Sequence, residues 1–225
     1  MLHRSAQERH STYTATMIDL WKRDLPVLKR GPVVGEILSG YFAARPIDAL
    51  EIGVRRGGML KALRTREPVN FKSYVGVDPY LGDTTDPYLG SYWKDRAEAD
   101  ATYSEAMGIF QEYHATLLRQ KSEDFFKALP PDVTYDFIFV DGDHRFEPAL
   151  KDLRSAWPRV RPGGLMIVDD YWNLVHSGVT KAINLFVTEH QAGIGRIGHR
   201  VLAFDAKGYM VPVSTTVVFF EKPSR

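Results

Sequence analysis

Short apolar runs that do not alternate in polarity constrain the fold of this chain more than any other feature. Two of them end in acids: "DFIFVD" at 136–141, which continues into Gly142, Asp143 and His144, and "GLMIVDD" at 164–170. A strand with one solvent-facing side would alternate apolar and polar residues. Runs that are apolar throughout are typical of parallel strands covered by helices on both faces. The pattern therefore predicts an α/β fold.

Five such strands alternate with helical segments along the chain. The predicted strands are 48–54, 73–79, 115–120, 136–141 and 164–170, and the predicted helices are 11–23, 33–44, 57–66, 98–113, 122–129, 147–160 and 178–190. Ser122 is the expected N-cap of its helix. The C-terminal segment "RVLAFDAKGYMVPVSTTVVFFEK" holds two β segments without room for a crossover helix. We predict a doubly wound, mainly parallel seven-stranded sheet with an antiparallel C-terminal hairpin.

The chain has 225 residues, enough for one sizeable core. We predict a core domain at 46–225, preceded by an N-terminal helical segment at 1–45 that packs on the core or covers the site. The polar and aromatic stretch 80–103 is a candidate lid over the substrate. Its aromatic residues, among them Tyr80, Tyr88, Tyr92 and Trp93, would serve equally well to pack the loop onto the body.

Composition excludes several classes of protein. The formal net charge is +1, from 29 basic and 28 acidic residues, so no global field attracts nucleic acid or an acidic membrane. The chain has no cysteine, which excludes a disulfide framework, a thiolate nucleophile and cysteine-ligated zinc. It shows no apolar signal core and no run near the roughly 20 apolar residues of a membrane span. We expect a cytoplasmic protein without nucleic-acid or membrane partners, and a homo-oligomeric state is left open.

The turn after the first strand, "LEIGVRRGG" at 50–58, points to a ligand. Glycines let the backbone approach a ligand closely, and the helix that follows offers free N–H groups. The G-x-x-x-G-G spacing departs from the G-x-G-x-x-G of dinucleotide enzymes and suits a nucleoside-type ligand better. Asp78, about 25 residues beyond Gly53, ends the second strand, where an acid can accept both hydroxyls of a ribose. The alternatives are a tight strand-to-helix turn and a turn-forming Asp before Pro79.

Four segments together resemble the class I S-adenosylmethionine-dependent methyltransferases, which have a Rossmann-like fold. They are "LEIGVRRGG", "VGVDP", "FIFVDGDH" and "RVRPGGLMIVDDY", and the resemblance spans about residues 48–171. It implies that the glycine-rich turn holds the methionine part of the cofactor, the acid after the second strand its ribose, and the segment after the third strand its adenine. The cofactor-binding residues implied in this way are Glu51, Gly53, Gly57, Asp78, Ser122 and Asp141.

Three carboxylates, those of Asp141, Asp169 and Asp170, converge at one sheet edge if this fold is correct. Clustered carboxylates repel one another, and a divalent cation such as Mg²⁺ relieves the repulsion. Such a cation could hold two vicinal hydroxyls of a substrate and lower the pKa of one of them. The alternative is that these acids cap helices or bind the cofactor.

The arrangement resembles cation-dependent O-methyltransferases, most closely the antibiotic sugar enzymes of the macrocin and mycinamicin type. In that type an acid opening a D-x-x-H stretch ligates the metal and the histidine is the general base. Asp141 to His144 match that spacing, which implies His144 as the base, although a lone histidine is more often structural. The catechol enzymes carry Asp-Asn where this chain has Asp169 and Asp170.

The predicted function is therefore methyl transfer from S-adenosylmethionine, with Mg²⁺ or another divalent cation, to a hydroxyl of a small molecule such as a sugar or another natural product. A metal-independent small-molecule methyltransferase and a non-catalytic nucleoside-binding protein of the same fold are the alternatives. "YWN" after Asp170 would line the acceptor pocket or fill space between loops.

Overall fold

A seven-stranded sheet forms the centre of the molecule, which is a computed structural model that describes residues 30–66, 69–81, 93, 95–172, 177–203 and 214–224. The strands are β1 (Ile47–Ile52), β2 (Phe71–Val77), β3 (Thr116–Leu118), β4 (Tyr135–Val140), β5 (Val160–Tyr171), β6 (Arg196–Ala203) and β7 (Ser214–Glu221). Their order is β3-β2-β1-β4-β5-β7-β6. Strands β1 to β5 are parallel, and β7 runs antiparallel to both β5 and β6. The predicted sheet and its antiparallel hairpin are confirmed.

Six α-helices lie in the described part of the chain: α1 (Arg30–Phe42), α2 (Gly58–Thr65), α3 (Arg96–Glu112), α4 (Ser122–Ala128), α5 (Phe146–Ala156) and α6 (Ser177–His190). Each matches a predicted helix to within a few residues. The helix predicted at 11–23 and residues 82–92 of the candidate lid lie outside the described residues. None of the described helices is long and apolar enough to cross a membrane.

The first residue of α4 corrects one prediction. The N-cap of α4 is Lys121, which makes no side-chain capping hydrogen bond, and Ser122 is already helical. The Ser122 hydroxyl instead donates to Asp152 Oδ1 across 2.5 Å. The Ser122 hydroxyl therefore bonds a side chain distant in the sequence instead of capping the first turn of its own helix.

Apolar side chains on both faces of the sheet explain the unbroken apolar runs. Phe137 and Phe139 of β4 pack in one cluster with residues of α1, α2 and α3. Ile138 and Val140, which point the other way, pack in a second cluster with residues of α5 and α6. All four side chains are almost fully buried, so neither face of β4 reaches solvent.

The register of the parallel strands brings their carboxyl ends to one level. Ile52 at the end of β1 pairs with Val77 of β2 on one side and with Val140 of β4 on the other, and Val140 pairs with Val168 of β5. The residues that follow these four strands therefore meet at one edge. The strand order reverses between β1 and β4, and such a switch point is where ligands bind in open α/β sheets.

Candidate active site

The glycine-rich turn is shaped by close backbone approach. Gly53 has φ +85°, and a Cβ there would stand 1.9 Å from the carbonyl oxygen of Asp141. Gly57 has φ +73° and is the left-handed N-cap of α2, where added bulk would meet only the side chain of Ile109 at 3.4 Å. Gly53 is therefore required by space and conformation together, and Gly57 by conformation. The tight turn is real, and a cofactor role for either glycine is a separate proposal.

Asp78 connects this turn to the end of β2. Its Oδ2 accepts hydrogen bonds from the backbone N–H groups of Val54 and Arg55, both at 2.9 Å, and its Oδ1 accepts from Tyr80 N–H at 3.0 Å. Burial raises the pKa of Asp78, while these hydrogen bonds oppose the rise. Each carboxylate oxygen has two lone pairs, so a further donor such as a ribose hydroxyl is compatible with this arrangement.

Glu51 and Ser122 already have partners inside the protein. Glu51 is buried in β1 and accepts a hydrogen bond from the Tyr74 hydroxyl at 2.8 Å. Burial raises its pKa to about 8, although that hydrogen bond opposes the rise. Asp152, the partner of Ser122, has its pKa raised to about 6 because it too is buried. Both predicted cofactor residues therefore face polar side chains of the protein.

The acids that follow β4 and β5 lie together. His144 Nε2 is 2.8 Å from Asp170 Oδ2 and 3.5 Å from Asp141 Oδ1. The donor atoms of Asp141, His144 and Asp170 all lie within 4.8 Å of one another. Asp169 has a different partner, because its Oδ2 is 2.6 Å from a guanidinium nitrogen of Arg30. The other terminal nitrogen of Arg30 pairs with Asp141 Oδ2.

Backbone conformation separates the two adjacent acids. Asp170 has φ +58°, a left-handed conformation that is uncommon for a residue other than glycine. Such a conformation costs on the order of 1–3 kcal/mol, and residues strained in this way cluster at functional sites. Asp169 is paired with Arg30, and Asp170 with His144.

The buried charges perturb one another. Burial alone would lower the pKa of His144, but the neighbouring carboxylates of Asp141 and Asp170 outweigh that effect, and its pKa is raised to about 9. Burial and the nearby charge of Asp141 raise the pKa of Asp169 well above its ordinary value, against the opposing effect of Arg30. Strong perturbation of several groups at a strand edge is a mark of functional sites.

The donor set fits a divalent cation. Carboxylate oxygens suit Mg²⁺ and Mn²⁺, and an imidazole nitrogen is a common ligand of heavier divalent metals.

Sequence reasoning missed Arg30. It begins α1, more than one hundred residues before the acids that it contacts. No motif surrounds it, so no local signal distinguishes it from the other basic residues of the chain. Only the packing of α1 against the sheet shows its position.

The aromatic residues near the site divide into buried and exposed groups. Tyr80 is fully buried, donates its hydroxyl to the carbonyl of Arg55 at 2.7 Å, and contacts the rings of Trp93 and Tyr103. Tyr80 therefore packs the start of the loop onto the body. Tyr88 and Tyr92 lie outside the described residues.

Trp172, two residues after Asp170, is exposed rather than buried. Its side chain is 67% exposed and stacks on Tyr171, and its backbone N–H donates to Thr180 Oγ1 at 2.9 Å. It does not fill space between loops.

Known proteins share this fold. The O-methyltransferase from Bacillus cereus, solved in complex with SAH, is 14% identical, with a TM-score of 0.57 over 99% of this chain and 93% of that one. The N-methyltransferase NodS from Bradyrhizobium japonicum, in complex with S-adenosyl-L-homocysteine, is 12% identical, with a TM-score of 0.56 over 89% of this chain and 90% of that one. An uncharacterized protein of Acanthamoeba polyphaga mimivirus is 24% identical over 164 residues, which are 70% of this chain and 67% of that protein.

The sequence itself gives the family. Residues 50–171, more than half of the chain, match the family described as "Methyltransferase domain". The match begins at the strand before the glycine-rich turn and ends just after the acids of β5, so it contains the turn, Asp78 and the carboxylate cluster. The chain belongs to the methyltransferase-domain family.

Proposed function

We propose that this protein is an S-adenosylmethionine-dependent O-methyltransferase that requires Mg²⁺ or another divalent cation and methylates a hydroxyl of a small molecule. The observation that carries the proposal is the cluster of Asp141, His144 and Asp170, with donor atoms within 4.8 Å of one another, at the sheet edge that also holds the glycine-rich turn. A sugar hydroxyl, as in the macrocin and mycinamicin type, is the acceptor that we expect first.

The cofactor would lie across the ends of β1 and β2. S-adenosylmethionine supplies a methyl group already activated by a sulfonium charge. Asp78 would hold the ribose, because its carboxylate lies beside the turn and can accept further hydrogen bonds. Two structural neighbours, one an oxygen and one a nitrogen methyltransferase, were solved with the demethylated cofactor, which supports the same ligand here.

The acceptor would lie over the ends of β4 and β5. A divalent cation held by carboxylates there would lower the pKa of an acceptor hydroxyl. Asp141 and Asp170 would hold it, as hard oxygen donors. His144, whose Nε2 faces both carboxylates, has its pKa raised to about 9 by them and would be protonated at neutral pH without a cation. A cation held by the same carboxylates would disfavour that proton, and His144 would then receive the hydroxyl proton as the general base.

The acidic cluster favours oxygen over nitrogen as the methylated atom. A neutral amine can attack a methyl group before it loses a proton, whereas an alcohol is a poor nucleophile until its proton is withdrawn. A site that combines carboxylates and a histidine is suited to withdrawing that proton. The fold alone does not favour either atom, since it is shared by both kinds of neighbour.

A metal-independent methyltransferase is the second candidate, because one observation favours it. Arg30 already provides a positive charge to Asp141 and Asp169. If that charge suffices, the cluster needs no cation.

Turnover measurements separate the two candidates. We would follow release of S-adenosylhomocysteine over a panel of glycosides and catechols, with Mg²⁺ and with excess chelator. The proposal expects activity that chelation abolishes and Mg²⁺ restores, with cofactor affinity retained in chelator. Asp170→Asn should reduce Mg²⁺-dependent activity at least tenfold, and Asp132→Asn, an exposed turn residue, should not. Full activity in chelator would refute the cation and leave the metal-independent enzyme.

A further inference from the structure

We infer that Arg30 is a positioning residue that withdraws Asp169 from the cation site and keeps Asp141 directed toward it. This inference rests on the proposed function, because it concerns the same cation. It changes the expected ligand set from the three carboxylates to Asp141 and Asp170, with His144 beside them.

The contacts of the guanidinium group carry the first step. One terminal nitrogen of Arg30 pairs with Asp141 Oδ2, and the other lies 2.6 Å from Asp169 Oδ2. Asp141 thus divides its two oxygens: Oδ2 faces Arg30, and Oδ1 faces His144 at 3.5 Å. An aspartate held by one oxygen in this way presents the other in a fixed direction.

Burial carries the second step. The side chain of Asp169 is 0% exposed, whereas that of Arg30 is 32% exposed. A buried carboxylate that loses its ionic partner is strongly disfavoured, so Asp169 depends on the guanidinium. Arginine remains charged at any physiological pH and has no lone pair to offer a metal. While Arg30 is in place, it occupies Asp169 Oδ2, and Asp169 lies outside the cluster of Asp141, His144 and Asp170, whose ligand atoms are within 4.8 Å of one another.

Charge carries the third step. The guanidinium of Arg30 places one positive charge beside the carboxylates, and this charge opposes the binding of a cation. Without Arg30 the cluster would carry one more negative charge, and Asp169 would become available as a further oxygen ligand. A cation would then bind more tightly. It would also be a weaker Lewis acid toward an acceptor hydroxyl, because a third carboxylate would donate to it.

Mn²⁺ binding to the full chain, measured by electron paramagnetic resonance without acceptor, tests the inference. We expect Arg30→Met to bind Mn²⁺ at least tenfold more tightly than the wild type, and Arg30→Lys, which keeps the charge, to stay within about threefold. Arg154→Met is the matched control, because it removes an arginine that pairs with Glu189 instead. Its Mn²⁺ affinity should equal that of the wild type.

The double variant Arg30→Met with Asp169→Asn conserves the net charge and distinguishes the ligand sets. We expect its Mn²⁺ affinity within about threefold of the wild type, since Asp169 is not a ligand. If Asp169 ligates the cation, the double variant loses at least tenfold, and the inference is overturned. It remains informative if the single Arg30→Met variant does not fold, because it replaces the buried ion pair by a neutral pair.

Two further outcomes separate this inference from the function on which it rests. In the first, the wild type binds Mn²⁺ and a folded Arg30→Met variant binds it equally well or more weakly. This result overturns the role of Arg30 but leaves the cation proposal standing. Wild type that binds no Mn²⁺ at millimolar concentration overturns both.

Discussion

Replacing Glu51 by glutamine should remove a pH dependence from the stability of this protein. Glu51 is 2% exposed, and the hydroxyl of Tyr74 donates to its carboxylate at 2.8 Å. Glutamine has nearly the same shape and still offers a carbonyl oxygen to Tyr74. The substitution therefore removes the ionisable proton and leaves the packing and the hydrogen bond in place.

The size of the effect follows from the pKa of Glu51. Burial raises this pKa from 4.5 to about 8, so between these values the folded protein binds a proton that the unfolded chain releases. The free energy of unfolding then falls as the pH rises, by about 1.4 kcal/mol for each pH unit. The stabilising contribution is complete below pH 4.5 and is lost as the pH passes 8. Between about pH 5.5 and about pH 7.5, the wild type should lose roughly 3 kcal/mol from this group alone.

Urea unfolding followed by tryptophan fluorescence at these two pH values measures the difference. Other groups titrate as well, so the quantity to compare is the change in unfolding free energy of Glu51→Gln minus that of the wild type. We expect Glu51→Gln to gain about 3 kcal/mol relative to the wild type at the higher pH. Asp132→Asn, in an exposed turn, should follow the wild type at both pH values. If the unfolding free energies of Glu51→Gln and the wild type change equally between the two pH values, Glu51 is ionised in the folded state and the reasoning is refuted.

Three more predictions concern the site. Asp78→Ala should weaken S-adenosylmethionine binding at least tenfold by calorimetry, since hydrogen bonds to a carboxylate are each worth about 1.5–3 kcal/mol; unchanged affinity would exclude Asp78 as the ribose ligand. His144→Ala and His144→Gln should both lower kcat by about 10²–10⁴-fold with cofactor affinity retained, and near-wild-type kcat in either would make His144 structural. Trp172→Ala should raise the KM for a ring-shaped acceptor about two- to tenfold, because the exposed indole would stack on the ring, and Trp172→Phe should recover most of the loss. Equal KM values for the wild type and both variants would argue against the contact.

Much of the fold could be predicted from the sequence, because the signals for it are local. The apolar runs at β4 and β5 show no alternation, which requires burial on both faces, and the helices between them fix parallel connections. The sequence also placed glycines in the turn after β1 and acids after β2, β4 and β5. Once strands are parallel, their carboxyl ends meet at one edge, so the location of the candidate site follows from the fold.

Which of the site's charged and polar side chains contact one another depends on long-range packing. Asp169 and Asp170 are adjacent and chemically identical in the sequence, yet one pairs with Arg30 and the other with His144. The left-handed backbone at Asp170 falls where β5 shifts its register against β7, and α1 packs against the sheet from a distant part of the chain. The Ser122 hydroxyl was likewise predicted from the sequence to cap α4, but in the structure it donates to a buried acid on α5. Local patterns determine elements and edges, whereas the pairing of buried charges depends on long-range packing, which a single sequence does not display.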